Sequence, residues 1–204
     1  MAEALLTDVE TGQHLDKMAL TTEVLFVNPD YLKRLTNLNG SVEDSYVIPS
    51  VIITQDKILQ QYLGTDLMEA LLAHIKNSTL TGDNEVLVDD YIRKTVAWWT
   101  MVDLIPSLYV KIDNGGLVIR MAENTTPISP ADLHREVERA RQNAQFYTER
   151  LVSYLCQNSG LYPEYSTNSG SDMRPITETY NQNGMTYSFG QGGDALKTLR
   201  GLLK

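Results

Sequence analysis

The sequence is sparing in several things, and each scarcity removes a class of explanation. Of 204 residues only Cys156 is a cysteine, so no internal disulfide framework is available, and no CxxC or Cys/His cluster accompanies it. It falls in a helical pattern, where a free cysteine behaves as a small buried hydrophobe and reads as a structural thiol. Histidines number three, at positions 14, 74 and 134. They are too far apart for an HExxH-like metal arrangement. No apolar run reaches the roughly 18 residues of a membrane span. The opening "MAEALLTDVETGQHLDK" has neither the basic region nor the apolar core of a signal peptide, which predicts a soluble, non-secreted protein. Positive charge is also short: 17 Lys and Arg against 26 Asp and Glu give a net charge of -9. Such a surface repels phosphate backbones and argues against a protein that coats DNA, although it can lie beside DNA without gripping it.

Phosphate-loop and nucleophile motifs are missing as well. "DNGGLV" lacks the GxxxxGK[ST] pattern and precedes a β-like run. "FGQGGDALKTL" has no buried strand before it and no lysine directly after its last glycine. No GxSxG elbow accompanies the Ser, His and Asp residues. Asp89 and Asp90 are neighbours in an early helical turn, where carboxylates favour the dipole, and acid–base catalysis needs carboxylates placed around a cleft. No catalytic, cofactor-binding or metal-ligating residue is assigned, and an enzyme is not expected.

What is present is helical patterning, supported by 42% hydrophobic content, enough for one core. In "VNPDYLKRL", Asn28 is placed to cap and Pro29 to take the first helical position. In "SYVIPSVIITQDKILQQYLG", Ile48, Val51, Ile52, Gln55, Ile58, Leu59, Tyr62 and Leu63 follow helical spacing, with Pro49 beginning or bending the helix and Gly64 ending it. "GTDLMEALLAHIKN" opens with Thr65 or Asp66 as cap and buries Leu67, Leu71, Leu72 and Ile75.

The segment "EVLVDDYIRKTVAWWTMVDLIPSLYV" is apolar on nearly all sides from Val96 to Ile105, which predicts the centre of a bundle. Its broad face comprises Val88, Tyr91, Ile92, Thr95, Trp98, Trp99, Val102 and Ile105. The two tryptophans point about 100° apart in apolar surroundings, so they read as core, with one facing a second layer or a neighbouring subunit, and not as a nucleic-acid stacking platform. The last long helix starts at Ser129 and Pro130 and stops at Asn158 to Gly160. Leu133, Val137, Ala140, Ala144, Tyr147, Leu151 and Tyr154 form its lengthwise seam, and its span is roughly 40 Å.

Between these helices stands "YVKIDNGGLVIRMAENTTPISP". Tyr109 to Ile112 and Leu117 to Arg120 read as strands flanking Asp113, Asn114, Gly115 and Gly116, whose Asn-Gly step is a tight-turn signal. A lone hairpin is marginal in water, so it is expected either to lie as a lid on its own bundle or, the favoured reading, to project toward a neighbouring subunit. After Leu161 the texture turns to Ser, Thr, Asn, Gly and Tyr. "ITETY" and "MTYSF" suggest a second hairpin, and "DALKTLRGLLK" a short terminal helix. This arm is expected to stay mobile or dock on a partner.

The fold class is therefore mainly α: a small bundle of about four to five helices with an inserted β-hairpin and an extended C-terminal arm. Its expected divisions are an arm at 1–22, a helical domain at 23–160 with the hairpin at about 109–121, and a C-terminal arm at 161–204. The candidate partner interface comprises Asp113, Asn114, Gly115 and Gly116 with the arm aromatics Tyr162, Tyr165, Tyr180, Tyr187 and Phe189.

The series "FVNPDYLKRL", "VIPSVIITQDKILQQYLGTDLMEALL", "DDYIRKTVAWWTMVDLIPSLYVKIDNGGLVIRMAENTTPIS" and "REVERARQNAQFYTERLVSYLCQNSGLYPEY" resembles the head-tail connector proteins of tailed bacteriophages, also called adaptor, neck or head-completion proteins, in the version found in phages of Bacteroides-like hosts. The resemblance covers roughly residues 24 to 165 and contains no catalytic motif. It implies a virion protein assembled in the host cytoplasm into a homo-oligomeric ring, commonly of twelve copies, below the portal. Its partners would be other copies of itself, the portal protein and the next neck or tail component, with DNA passing through the channel without specific binding and with no membrane or cofactor involved. A channel of this kind suits an acidic lumen. A DNA-binding packaging accessory is the alternative. It would use Arg135, Arg139 and Arg141, which alternate with Glu136 and Glu138 in the manner of a self-paired helix face.

Overall fold

A computed structural model describes residues 23–114, 116–119, 128–167, 172–180 and 186–188. The arm at 1–22, with His14, and the terminal helix expected near the end of the chain lie outside the described residues, as do Gly115 and Phe189. The architecture is a small, mainly α-helical bundle.

Helix α1 (Pro29–Leu35) begins as the sequence predicts, with Asn28 Oδ1 accepting the Tyr31 N–H at 2.8 Å and Pro29 in the first turn. Helix α2 (Asp44–Thr54) starts earlier than Pro49, which lies inside it. The cost is small, because the carbonyl that loses its partner belongs to exposed Ser45 near the open end of the helix. A π turn, Gln55–Leu59, and the short α3, Gln60–Leu63, complete the rod.

The π turn explains why the buried stripe differs from the expected one. Val47, Val51, Gln55, Leu59 and Leu63 are buried, whereas Ile48, Ile52, Ile58 and Tyr62 are only half-buried. The buried set advances in steps of four. On an α-helix each such step drifts by about 40°, and the wider π turn takes up that drift. It also aims Gln55 inward, where its Oε1 accepts the Phe26 N–H at 2.7 Å and its Nε2 donates to the Val24 carbonyl at 3.2 Å.

Helix α4 (Thr65–Lys76) follows Gly64, which is its N-cap with φ 76°. Thr65 and Asp66 are not the cap, because Thr65 is drawn to a distant segment described below. Helix α5 (Asp83–Val86) and a second π turn, Leu87–Ile92, lead into the central helix α6 (Arg93–Tyr109). Just after this turn Arg93 Nε donates to the Phe26 carbonyl at 3.1 Å. The two π turns thus deliver the groups that satisfy both sides of one buried backbone residue.

The α6 helix packs against α1, α2 and the long helix α7 (Pro130–Gln157). Its fully buried positions include Val96, Ala97, Thr100, Met101 and Leu104. Trp98 and Trp99 are half-buried, so they flank the core and do not fill it. On α7 the buried residues at the level of Trp99 are small, Ala140, Ala144 and Thr148, a closely approached seam with no room for an indole. Trp99 lies beside it and donates its Nε1–H to Thr148 Oγ1 at 2.9 Å. The α7 seam continues through Leu151, Val152 and Leu155, while Tyr147 and Tyr154 are half-buried. Leu133 and Val137, in its first turns, also stay half-buried.

The bundle does not stop at Gly160. Tyr162 and Tyr165, expected on a partner surface, are 1% and 5% exposed and belong to the core. Tyr162 donates its hydroxyl to the Asp83 carbonyl at 2.9 Å and lies 3.2 Å from the Tyr154 hydroxyl, while Tyr154 stacks on Tyr91 at 4.1 Å between centroids. Helix α8 (Pro163–Thr167) holds Tyr165. Asp172 to Thr177 then runs over the Gly64 corner. Asp172 Oδ2 accepts from Thr65 Oγ1 at 3.0 Å and from Gln60 Nε2 at 2.9 Å, the Thr65 N–H reaches the Met173 carbonyl at 3.1 Å, and the Ile176 N–H reaches the Gln61 carbonyl at 2.8 Å. A Cβ on Gly64 would stand 2.8 Å from Pro175 Cδ. Strands Glu178–Tyr180 and Thr186–Ser188 pair antiparallel, and the first lies alongside the long helix. This part of the C-terminal segment therefore docks on its own bundle, correcting the expectation of a mobile or partner-docked arm.

Candidate assembly surface

The hairpin grows directly from the end of the central helix. Strand β1 (Val110–Asp113) and strand β2 (Gly116–Ile119) pair Val110 with Ile119, Lys111 with Val118, Ile112 with Leu117 and Asp113 with Gly116. Only Asn114 and Gly115 stand between them, the two-residue connection that the Asn-Gly step favours. Gly116 has φ 121°, a conformation that L side chains rarely adopt, which accounts for the second glycine.

Side chains alternate across a strand, so the opposed pairs Val110/Ile119 and Ile112/Leu117 share one face. That face is entirely apolar, and much of it is open to water: Ile112 is 83% exposed, Leu117 74% and Ile119 48%. Val118, from the other face, is also exposed. The bulk of this face is left uncovered by the described residues, which favours the reading of a projecting hairpin over that of a lid. At its root Tyr109 Oη donates to the Ile128 carbonyl at 3.3 Å, joining the hairpin to the start of the long helix, and Ile128 is itself exposed.

A concavity lies on the flank of the bundle, between the end of α2, the first π turn, α6 and α7. It measures about 300 Å³. Ile53, Ile58, Trp99 and Val102 supply apolar walls, and Lys57, Asp103 and Arg141 supply charge. Sequence reading missed it because its residues come from four elements. The available signal was Ile53, an apolar residue out of phase with the buried stripe and left 48% exposed. Phe146, exposed on α7 with its ring edge-on to Tyr147, is a further exposed apolar side chain but does not line this cleft.

The other candidates resolve into structural roles. Arg135 pairs with Asp132, Arg139 with Glu136 at 3.5 Å and Arg141 with Glu138 at 3.6 Å, each within α7. Asp89 pairs with Arg93 at 2.6 Å and Asp90 with Lys94 at 3.3 Å, one turn on. His74 Nδ1 meets Thr79 Oγ1 at 3.0 Å, and His134 is exposed. Among the described residues no three His, Cys, Asp or Glu side chains gather as a metal ion would require. Cys156 is half-buried, and burial pushes its thiol pKa up, away from the reactive thiolate. Tyr180 and Tyr187 occupy the paired strands near the C-terminus, where Tyr180 opposes Thr186 and Tyr187 opposes Thr179. Among the described residues no helix is long and apolar enough to cross a membrane.

Of the residues singled out in the sequence, Asp113, Asn114 and Gly116 therefore sit together at the tip of an exposed apolar hairpin, and Tyr162 and Tyr165 do not join them. No curated protein and no solved structure matches the chain. Residues 59–175, more than half of the chain and including the central helix, the hairpin and the long helix, match DUF6712, a family of unknown function, and the chain belongs to that family.

Proposed function

We propose that this protein is a structural ring component of a tailed-phage neck, a head-tail connector seated below the portal, where it extends the DNA channel and docks the next neck or tail component. The observation that carries the reading is the hairpin, whose apolar face is left in water by its own bundle although a lone two-stranded hairpin has little stability of its own. Contiguous exposed apolar surface of this kind marks contact sites, and a contact that repeats from copy to copy builds a ring. The resemblance of residues 24 to 165 to connector proteins supplies the setting. The net charge of -9 suits a channel through which DNA slides without sticking.

Purified virions provide the test. The protein should band with them, and it should form rings when mixed with the portal. Its absence from virions by mass spectrometry ends the reading. Deleting Asp113 to Gly116 should leave the monomer folded and abolish ring formation, whereas a deletion that unfolds the monomer would return the hairpin to a role within its own fold.

A further inference from the structure

Two parts of the described surface each supply what the other lacks. The hairpin offers an exposed apolar pair, Ile112 and Leu117, directly opposite each other and hence one compact knob. The flank offers a cleft of about 300 Å³ walled by Ile53, Trp99 and Val102. That volume is at the low end of the roughly 300–1,000 Å³ typical of ligand pockets, a fit for a pair of branched side chains. Within one chain the two do not meet. The hairpin leaves the end of α6 at Val110 and is tied by Tyr109 to Ile128, while the cleft opens farther back on α6, at Trp99 to Asp103.

Charge points the same way. Lys57 and Arg141 stand at the cleft, and Lys57 has no ion-pair partner among the described residues. The hairpin's turn opens with the acidic Asp113. Arg141 is already paired with Glu138 and Asp103 also lines the cleft, so Lys57 is the cation placed to meet an acidic residue of the entering turn, in a chain whose overall charge opposes self-association elsewhere.

We infer that the hairpin of one copy seats its Ile112–Leu117 pair in the Ile53/Trp99 cleft of the next copy. The inference rests on the ring reading above and names its contact. Because knob and socket are different surfaces of the same chain, the contact is head-to-tail. Repeated from copy to copy, such a contact closes into a ring when its rotation divides a full turn, which is the outcome the ring reading requires.

The test uses the full chain with Cys156→Ser as background. L117C and I53C are made separately and mixed under mild oxidation. The expected product is a disulfide dimer containing one of each, with neither variant cross-linking to itself, while the double variant gives a ladder of higher species. Self-cross-linking of L117C alone would overturn the inference in favour of hairpins meeting face to face.

Ile53→Glu, at a half-exposed position, should keep the circular dichroism of the parent. It should weaken self-association in native mass spectrometry by about tenfold or more, as expected when one large apolar side chain loses its burial. If rings form unchanged with Ile53→Glu and the mixed cross-link is absent, the contact is wrong and the ring reading stands. A chain that stays monomeric at all concentrations and with the portal overturns both.

Discussion

The extended segment Asp172 to Thr177 and the hairpin Val110 to Ile119 are two short stretches of non-helical chain attached to the same bundle, and they are handled in opposite ways. The first lies in a corner. Its backbone bonds to Thr65 and Gln61, its Asp172 carboxylate accepts from two side chains, and its Pro175 fills the space that only a glycine at 64 leaves open. The hairpin satisfies its backbone within itself, and its apolar face is left in water. Hydrogen bonding thus has a solution in both, across the bundle in the first and between paired strands in the second, but apolar burial differs. The first segment belongs to the fold through its hydrogen bonds and through Pro175 at the Gly64 corner, although its Met173 and Ile176 are 42% and 44% exposed, whereas the hairpin leaves Ile112 and Leu117 at 83% and 74%, the larger exposed apolar surface of the two.

The contrast can be broken most sharply at Tyr162, which roots the C-terminal segment in the core. Tyr162→Ala removes a fully buried ring and its hydroxyl bond to Asp83, and should destabilise the monomer by about 3–5 kcal/mol in urea denaturation. A loss below about 1 kcal/mol would mean that the segment after Gly160 is no part of the core. Next comes Gly64→Ala, which meets both a positive φ and Pro175 and should cost about 1–3 kcal/mol. Limited proteolysis should then cut within Asp172 to Thr177 faster than in the parent, while the hairpin's cleavage rate stays the same.

An alkaline titration probes the same root without mutation. Burial raises the pKa of Tyr162 and of Tyr165 above the ordinary 10.0. Raised folded-state values mean that their contribution to stability is complete below about pH 10. It fades as the pH climbs from there toward their folded-state values, because the unfolded chain ionises first. Thermal melts should therefore hold to about pH 10 and fall above it, and Tyr162→Phe should flatten that fall. The smallest effect belongs to the hairpin: Ile112→Ser with Leu117→Ser should move monomer stability by no more than about 0.5 kcal/mol, as for exposed positions generally, while ring formation is lost.

Much of the bundle is legible along the chain, for reasons that are local. Asn28 and Ser129 cap where short polar side chains precede a proline, and the Asn-Gly step falls between the two paired strands, as its preference for tight turns predicts. The inner faces are harder to read. A pattern drawn at fixed helical spacing places Val51, Gln55, Leu59 and Leu63 inside, as found, but also Ile48, Ile52 and Ile58, which the π turn at Gln55–Leu59 leaves half-buried while Val47 joins the buried stripe. Trp98 and Trp99 carry the strongest core signal by residue type. They flank the core, because close approach of α6 and α7 depends on Ala140, Ala144 and Thr148. The hairpin half of the candidate surface can be read from four consecutive residues, but the cleft needs four elements brought together and is invisible in any one of them.

By itself the sequence determined the helical class, the helix starts at Pro29 and Pro130, the place of the hairpin and the negative charge, since these follow from residue types over a few positions. The tertiary structure alone decided that the polar, tyrosine-rich stretch after Gly160 turns back to complete the core, and that the hairpin between the two main helices does not. The physical reason is that burial is a property of what lies opposite. Tyr162 finds Asp83 and Tyr154 across the bundle, while the described neighbours of Ile112 and Leu117 leave both in water.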